Sequence, residues 1–273
     1  MTKRTLKARI ALLAAVSASA IMLNACTTLD VDGKEAAAAA AAAQTAADKT
    51  GASLDLANAA RKVGDFRSAE EIYNQALTRE PGNDAARAQL GATQLQAGAI
   101  YDAIKTFNMI GPASPQQVDA QIGLERAYLM LSQPQEAMVH AEKAVALAPN
   151  NPHALIGRGV ALDMLQRHAE AQAAYRTALV IEPHDPGATS DLALSLAITG
   201  QYEEAIRLLT PIVRSPDVTA RLRGNLALIY GLKGDQNSAL ALNRADMDAS
   251  AAQANLKFYN LVRQLRAKSG QSN

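Results

Sequence analysis

The stretch GDFRSAEEIYNQALTREPGN, residues 64–83, carries a pattern that returns every 34 residues. Its alanine has a counterpart at each later interval up to residue 239, and its proline has one at each interval up to residue 183. The two columns are Ala69, Ala103, Ala137, Ala171, Ala205 and Ala239, and Pro81, Pro115, Pro149 and Pro183. Self-similarity at one fixed period predicts an array of equal structural units.

Two further columns share this period. They are Gly64, Gly98, Gly200 and Gly234, with Ser132 and Gln166 in the gaps, and Leu56, Leu90, Leu124, Leu192 and Leu226, with Arg158 in the gap. A period of 34 residues is typical of the tetratricopeptide repeat, which is a pair of antiparallel helices. We expect the leucine to fill the inner face of the first helix. We expect the glycine to end that helix, because glycine adopts a left-handed turn at little cost.

The alanine is expected where the second helix crosses the first, since a larger side chain would separate them. The proline is expected to stop the second helix, because it lacks an N–H group and clashes with the preceding turn. Large side chains are expected to wedge neighbouring units together, and these are Tyr73, Phe107, Tyr175 and Leu209. Glu125 and Arg158 occupy positions that are usually small or apolar, so the third and fourth units should be locally irregular.

The predicted fold class is all-α: a superhelical tetratricopeptide-repeat solenoid of about six hairpins with a C-terminal capping helix. The predicted units are 50–83, 84–117, 118–151, 152–185, 186–219 and 220–250. Residues 251–268 are predicted to cap the open apolar face of the last unit through Leu256, Tyr259, Val262 and Leu265, because stacked repeats need a terminal cover. Residues 269–273 form a short tail.

The chain begins with features typical of an export signal. Residues 1–9 carry four basic side chains and no acidic one, and residues 10–23 are apolar apart from two serines. The run Leu23-Asn24-Ala25-Cys26 resembles a bacterial lipobox and contains the only cysteine of the chain. We therefore expect a signal peptide at 1–25 and a covalent diacylglyceryl and N-acyl lipid on Cys26, whose thiol is the nucleophile. The alternative is a buried cysteine with cleavage elsewhere.

Residue 27 is threonine rather than aspartate, which by analogy with other lipoproteins implies transport to the outer membrane and a periplasmic location in a Gram-negative bacterium. Residues 26–49, with eight consecutive alanines, are predicted to be a partly helical tether or a disordered leader. Removal of residues 1–25 changes 27 basic and 26 acidic residues to 23 and 26, a net charge of −3. This balance argues against a nucleic-acid-binding protein.

The sequence contains no motif for catalysis or metal binding. The histidines are His140, His153, His168 and His184, and none lies four residues from another. We find no GxSxG motif, P-loop or HExxH motif, and therefore predict a non-enzymatic protein without a metal, a cofactor or a small-molecule substrate.

A solenoid of this class binds protein partners on the face formed by its first helices. In this fold the second, fifth, ninth, twelfth and thirteenth positions of the repeat point into that face. The predicted groove residues are Asn58, Arg61, Lys62, Leu95, Ile122, Arg126, Leu129, Ile156, Val160, Leu194, Ile198, Leu228 and Leu232. We expect a groove that is basic at its start, then increasingly apolar, and that holds an amphipathic helix or an extended apolar segment. Alternatively, many of these side chains pack against the next repeat or the last helix.

The lipobox, the alanine-rich leader, the repeats and the final block RGNLALIYGLKGD, residues 223–235, followed by AAQANLKFYNLVRQL, residues 251–265, together resemble the TadD-like lipoproteins of the tight-adherence (Tad/Flp) pilus machinery. This resemblance implies an accessory protein of a pilus or secretion apparatus that aids localisation or assembly of the outer-membrane secretin. One alternative is a pilotin-like or other outer-membrane assembly lipoprotein. Another is an enzyme accessory or peptidoglycan-associated factor.

Overall fold

The computed structural model describes residues 51–270, with the side chains of the last few residues excepted. This part of the chain forms thirteen α-helices and no strand. The helices are α1 (51–62), α2 (Phe66–Arg79), α3 (Asp84–Gln96), α4 (Ile100–Asn108), α5 (Gln117–Met130), α6 (Pro134–Leu147), α7 (Pro152–Met164), α8 (His168–Ile181), α9 (Pro186–Ile198), α10 (Tyr202–Val213), α11 (Ala220–Lys233), α12 (Gln236–Asn243) and α13 (Ala249–Gly270). The expected signal peptide, the lipidated Cys26 and the tether lie outside the described residues.

Short polar side chains start many of these helices. Asn83 and Asn151 accept hydrogen bonds from the backbone N–H groups of Ala86 and Ala154, at 2.9 and 3.1 Å. Asp185 caps α9 in the same way. Such caps satisfy N–H groups that have no partner within the helix. They fix the first residue of a helix, which also places the groups near its N-terminus.

The left-handed turn predicted for the glycine column is present at all six positions. The φ angles are +83° at Gly64, +80° at Gly98, +83° at Gly200 and +103° at Gly234. Ser132 and Gln166, which fill the gaps in the column, also adopt positive φ angles of 57° and 62°. The turn is therefore imposed by the helical hairpin, even where the residue bears a side chain.

The alanine column is fully buried, as predicted: each of its six members has 0% exposure. The predicted wedge residues are buried as well, with exposures of 0% for Tyr73, 3% for Phe107, 1% for Tyr175 and 0% for Leu209. From α2 onward, each helix packs only against helices one or two places away in the chain. The described helices therefore form a tetratricopeptide-repeat solenoid.

Three expectations about single residues are wrong. Leu56 is 61% exposed although it belongs to the leucine column, because no described helix pair precedes it to cover that face. Pro115 does not stop a helix, since α4 already ends at Asn108 and is followed by an irregular segment. Leu265 is 56% exposed, while Leu256 and Tyr259 of the same helix are buried with Ala239 of α12.

Candidate protein-binding site

A cavity of about 660 Å³ follows the first helices of successive pairs. Its lining comes from the end of α1, from α3, α5 and α7, and from the start of α9. Leu95, Ile122 and Ile156 contribute apolar surface, whereas Arg126 and Asp191 contribute charge. We call this space the central cavity. It is where a partner segment would meet side chains from several repeats at once.

Seven of the thirteen predicted groove residues lie together in the lining of the central cavity. They are Arg61, Leu95, Ile122, Arg126, Leu129, Ile156 and Val160. These residues come from α1, α3, α5 and α7, so the fold brings together positions from four successive repeats. They occupy equivalent places in those repeats.

The other six predicted groove residues lie elsewhere. Asn58 accepts a hydrogen bond from the Tyr73 hydroxyl at 2.7 Å, and Lys62 lies in a separate depression next to Phe66. Leu194 packs against the main hydrophobic cluster, and Ile198 is 43% exposed outside the cavity. Leu228 packs against the cluster formed by α12 and α13, and Leu232 is buried. Some predicted residues thus pack within the solenoid, as the alternative interpretation held.

Several lining residues were not predicted, although the repeat register contains the signal for them. Ala88, Ala92, Asp119, His153 and Gly187 occupy the same repeat positions as the predicted residues. The sixth position of the repeat also lines the cavity in four successive units, and its residues there are Gln89, Gly123, Gly157 and Asp191. Complete use of the register, with the sixth position added, would have found them.

The lining is more acidic than the sequence suggested. It contains the carboxyl groups of Asp119, Glu125, Asp185 and Asp191 beside the guanidinium groups of Arg61 and Arg126. The expected trend from a basic start to an apolar end is therefore incomplete, because the section formed by α7 and α9 carries acidic side chains.

Glu125 on α5 is the most unusual of these residues. Its side chain is buried, with 2% exposure, and its oxygen Oε1 has no hydrogen-bond partner. Burial raises the pKa of Glu125 to about 8, against a smaller opposing effect of the Arg126 charge. At neutral pH the carboxyl group therefore holds its proton in the free protein.

The acidic section continues on α9. Burial raises the pKa of Asp191 to about 6; Arg221 opposes this shift, while Asp185 and Asp163 add to it. Asp191 accepts no hydrogen bond and forms no ion pair within the described residues. Asp185, in contrast, accepts a hydrogen bond from the N–H group of Gly187 at 2.7 Å.

Tyr175 of α8 lies behind this section. Burial, followed by the charges of Asp163 and Asp191, raises the pKa of its hydroxyl, and Glu125 contributes in the same direction. The Tyr175 hydroxyl donates to Asp163 at 3.2 Å, and Asp163 also accepts from Ser195 at 2.8 Å. Asp163 is thus satisfied by internal donors, so the unpaired capacity belongs to Glu125 and Asp191.

Glu125 takes the place of a wedge residue. A Cβ atom on Gly123 would lie 2.2 Å from the ring of Phe107, the wedge of the second unit. A Cβ atom on Gly157, one repeat later, would lie 2.4 Å from Oε2 of Glu125. The residue one repeat after Phe107 is Ala141, which is too small to act as a wedge. We call these contacts the Phe107 junction and the Glu125 junction.

Comparison with known proteins agrees with the fold. Residues 60–128 and 126–186 match two family models, each described as tetratricopeptide repeat. By fold, the described part of the chain belongs to the helical-repeat class. Together, the 34-residue period and the matched models identify it as a tetratricopeptide-repeat protein. Such proteins generally act as protein-interaction scaffolds, and no enzyme family is indicated.

Solved structures with a similar fold come from several bacteria. A thermophilic tetratricopeptide-repeat protein of Thermus thermophilus has 21% identity and a TM-score of 0.60, over 66% of this chain and 98% of that one. One from Parabacteroides merdae has 19% identity and a TM-score of 0.60, over 82% and 93%. PilF of Pseudomonas aeruginosa has 14% identity and a TM-score of 0.59, over 72% and 90%. These likenesses show the fold alone. No curated protein matches the sequence.

Residues 51–270 contain neither a metal-binding cluster nor a membrane span. No group of three or more histidine, cysteine, aspartate or glutamate side chains in this region could hold a metal ion. In the same region, no helix is both long and apolar enough to cross a membrane.

Proposed function

We propose that this chain is a non-catalytic scaffold that binds a segment of a partner protein in the central cavity. The observation that carries the proposal is the cavity itself, which presents apolar and charged side chains from five helices along one line. A helix or an extended segment lying along these helices could place successive side chains against successive repeats. Affinity would then be distributed over several shallow contacts.

The cellular setting that we propose rests on the sequence. The lipobox at Cys26 supports a lipid anchor on the periplasmic face of the outer membrane. The likeness to TadD-like lipoproteins supports a role in Tad/Flp pilus biogenesis and secretion, in which the partner is the secretin or another component of the apparatus. The pilotin-like role in a different system is the alternative.

Affinity purification from membranes tests the binding function. We expect Ile156→Glu, inside the central cavity, to abolish co-purification of pilus or secretin components, because it places a charge on the apolar part of the lining. Val180→Glu is the matched control, since Val180 is 81% exposed and lies outside the cavity. Retention of all partners by a folded Ile156→Glu variant would contradict the proposal. Recovery of type IV pilus components by the unsubstituted protein would favour the alternative system.

Metabolic labelling with a fatty acid tests the anchor separately. We expect the unsubstituted chain to incorporate the label and Cys26→Ser to lose it, because the chain has no other cysteine thiol. Equal labelling of the two proteins would refute lipidation at Cys26 and leave the binding function to be judged by the purification experiment.

A further inference from the structure

The central cavity has an acidic section in which two carboxyl groups lack an internal partner. Glu125 is buried with Oε1 unpaired, and Asp191 forms neither a hydrogen bond nor an ion pair within the described chain. Both line the cavity, as does Asp185 at the start of α9. Buried polar groups in native proteins are almost always hydrogen-bonded, so an unpaired carboxyl oxygen at a cavity wall indicates a missing donor.

The position of Glu125 is also unusual for packing. At the Phe107 junction the equivalent space holds an aromatic ring, whereas at the Glu125 junction it holds a carboxyl group against Gly157. An apolar side chain there would avoid the cost of burying an unpaired polar group. A buried carboxyl group in the cavity wall is thus suited to contact a polar ligand.

We infer that the section of the central cavity formed by Glu125, Asp185 and Asp191 binds the cationic side chain, a lysine ammonium or an arginine guanidinium, of the partner segment. This inference rests on the proposed function and specifies its chemistry. The cation would donate to Oε1 of Glu125 and lie beside the unpaired carboxylate of Asp191. Charge-assisted hydrogen bonds of this kind are stronger than neutral ones.

The charges of the free protein agree with a cation rather than an anion as the ligand. In this section the cavity lining contributes three carboxyl groups, and the nearest cationic side chain in the lining is Arg126 on α5, which is exposed. Burial raises the pKa of Glu125 to about 8, because its ionised form lacks a counter-charge. A bound ammonium or guanidinium group would supply that charge.

Nuclear magnetic resonance with two small probes tests the cation site directly. The full-length protein is titrated at pH 8 with N-acetyl-lysine methylamide and with N-acetyl-norleucine methylamide, which lacks the ammonium group. We expect saturable shifts of the backbone amides of Gly157 and Asp191 with the lysine probe and at least about tenfold weaker binding of the norleucine probe. Equal responses to the two probes would overturn the inference.

Substitution then locates the site. We expect Glu125→Gln and the double change Glu125→Gln with Asp191→Asn to weaken binding of the lysine probe, the double change by about tenfold or more. Glu142→Gln is the matched control, because Glu142 is a half-exposed carboxylate that pairs with Arg158 outside the cavity. Circular dichroism verifies that each variant is folded, and the single change serves if the double change unfolds. Unchanged binding by a folded variant would overturn the inference.

Selection from a displayed library of random peptides, each about 12 residues long, separates this inference from the proposed function. Enrichment of peptides with lysine or arginine, lost in Glu125→Gln, would support both. Enrichment of peptides without basic residues that still depend on Ile156 would overturn the cation site and leave the binding function standing. Failure to enrich any peptide, together with binding of the lysine probe, would support the cation site and contradict peptide docking in the cavity.

Discussion

The Phe107 junction and the Glu125 junction solve the same packing problem with opposite chemistry. At the first, the ring of Phe107 fills the space left by the glycines Gly91 and Gly123. At the second, one repeat later, the wedge position holds Ala141, and Glu125 fills the space against Gly157 from the preceding first helix. Both side chains are almost fully buried. The volume is conserved, but an apolar contact is replaced by an unpaired carboxyl group.

This difference indicates that the two junctions contribute differently to stability and to binding. An aromatic ring between repeats gains free energy from burial and close packing. A buried carboxyl group without a partner costs free energy, and the cost grows when the group ionises. The Phe107 junction therefore serves the fold, whereas the Glu125 junction faces the cavity where a ligand could pair it.

The largest effect is expected at the Phe107 junction. Phe107→Ala should lower the free energy of unfolding by about 3–5 kcal/mol, because it removes a buried ring and leaves a cavity between two glycines. Denaturant unfolding measures the change. Met109→Ala is the control, since Met109 is 66% exposed, and it should change stability by less than about 0.5 kcal/mol. A loss below about 1 kcal/mol for Phe107→Ala would contradict the wedge role.

The Glu125 junction should respond to pH in a way that the Phe107 junction does not. The pKa of Glu125 is raised to about 8 in the folded protein. In the unfolded chain the group ionises near its ordinary pKa of about 4.3. The folded state then binds more protons than the unfolded state between these values, so this group makes stability fall as pH rises from about 4.5 to about 8.

Glu125→Gln should remove that dependence. The variant should be more stable than the unsubstituted protein by about 3 kcal/mol near neutral pH, with a difference close to zero below about pH 4.5. Thermal unfolding across this range, with Glu142→Gln as the control for an exposed carboxylate, measures the effect. A constant difference over the whole range would mean that Glu125 does not retain its proton in the folded state.

Conversion of one junction into the other is the third prediction. Glu125→Gly should destabilise the protein by leaving a void, and addition of Ala141→Phe should recover about 1–3 kcal/mol by restoring a ring against Gly157. Ala141→Phe alone should destabilise, because the ring and Glu125 compete for the same space. A double-mutant cycle in denaturant measures the coupling. Additive effects would show that the two residues do not share the space.

The smallest effect concerns the left-handed turns. Ser132→Gly should stabilise the protein by about 0.5–1 kcal/mol, because a residue with a Cβ atom at φ 57° is strained. The reverse control is Gly98→Ala, where the added methyl group has open space and only the backbone is strained. It should destabilise by a similar amount. Identical unfolding midpoints for both variants and the unsubstituted protein would contradict this account.

The register of the sequence predicts the repeats well because a solenoid repeats one set of contacts. The alanine column and the positive φ angles at Ser132 and Gln166 follow directly from the 34-residue period. The exposure of Leu56 and the early end of α4 depend instead on what each repeat meets in space. A periodic pattern contains no information about a missing neighbour or an irregular connection.

The cavity was predicted in part for a similar reason. Arg61, Ile122 and Ile156 follow from repeat positions that point into the cavity. The burial of Glu125 does not, since it depends on the exchange of a large and a small side chain between Glu125 and Ala141. The sequence identified Glu125 as irregular, but only the packing against Gly157 shows its surroundings.

Each helix from α2 onward packs only against helices one or two places away along the chain. Separation of a terminal hairpin therefore leaves every contact among the remaining hairpins intact. Hydrogen exchange should be fastest near both ends and slowest in the middle, around α5 to α9. If the N-terminus is moored to a membrane, a pulling load would peel hairpins away one at a time, and the central cavity would be among the last parts to open.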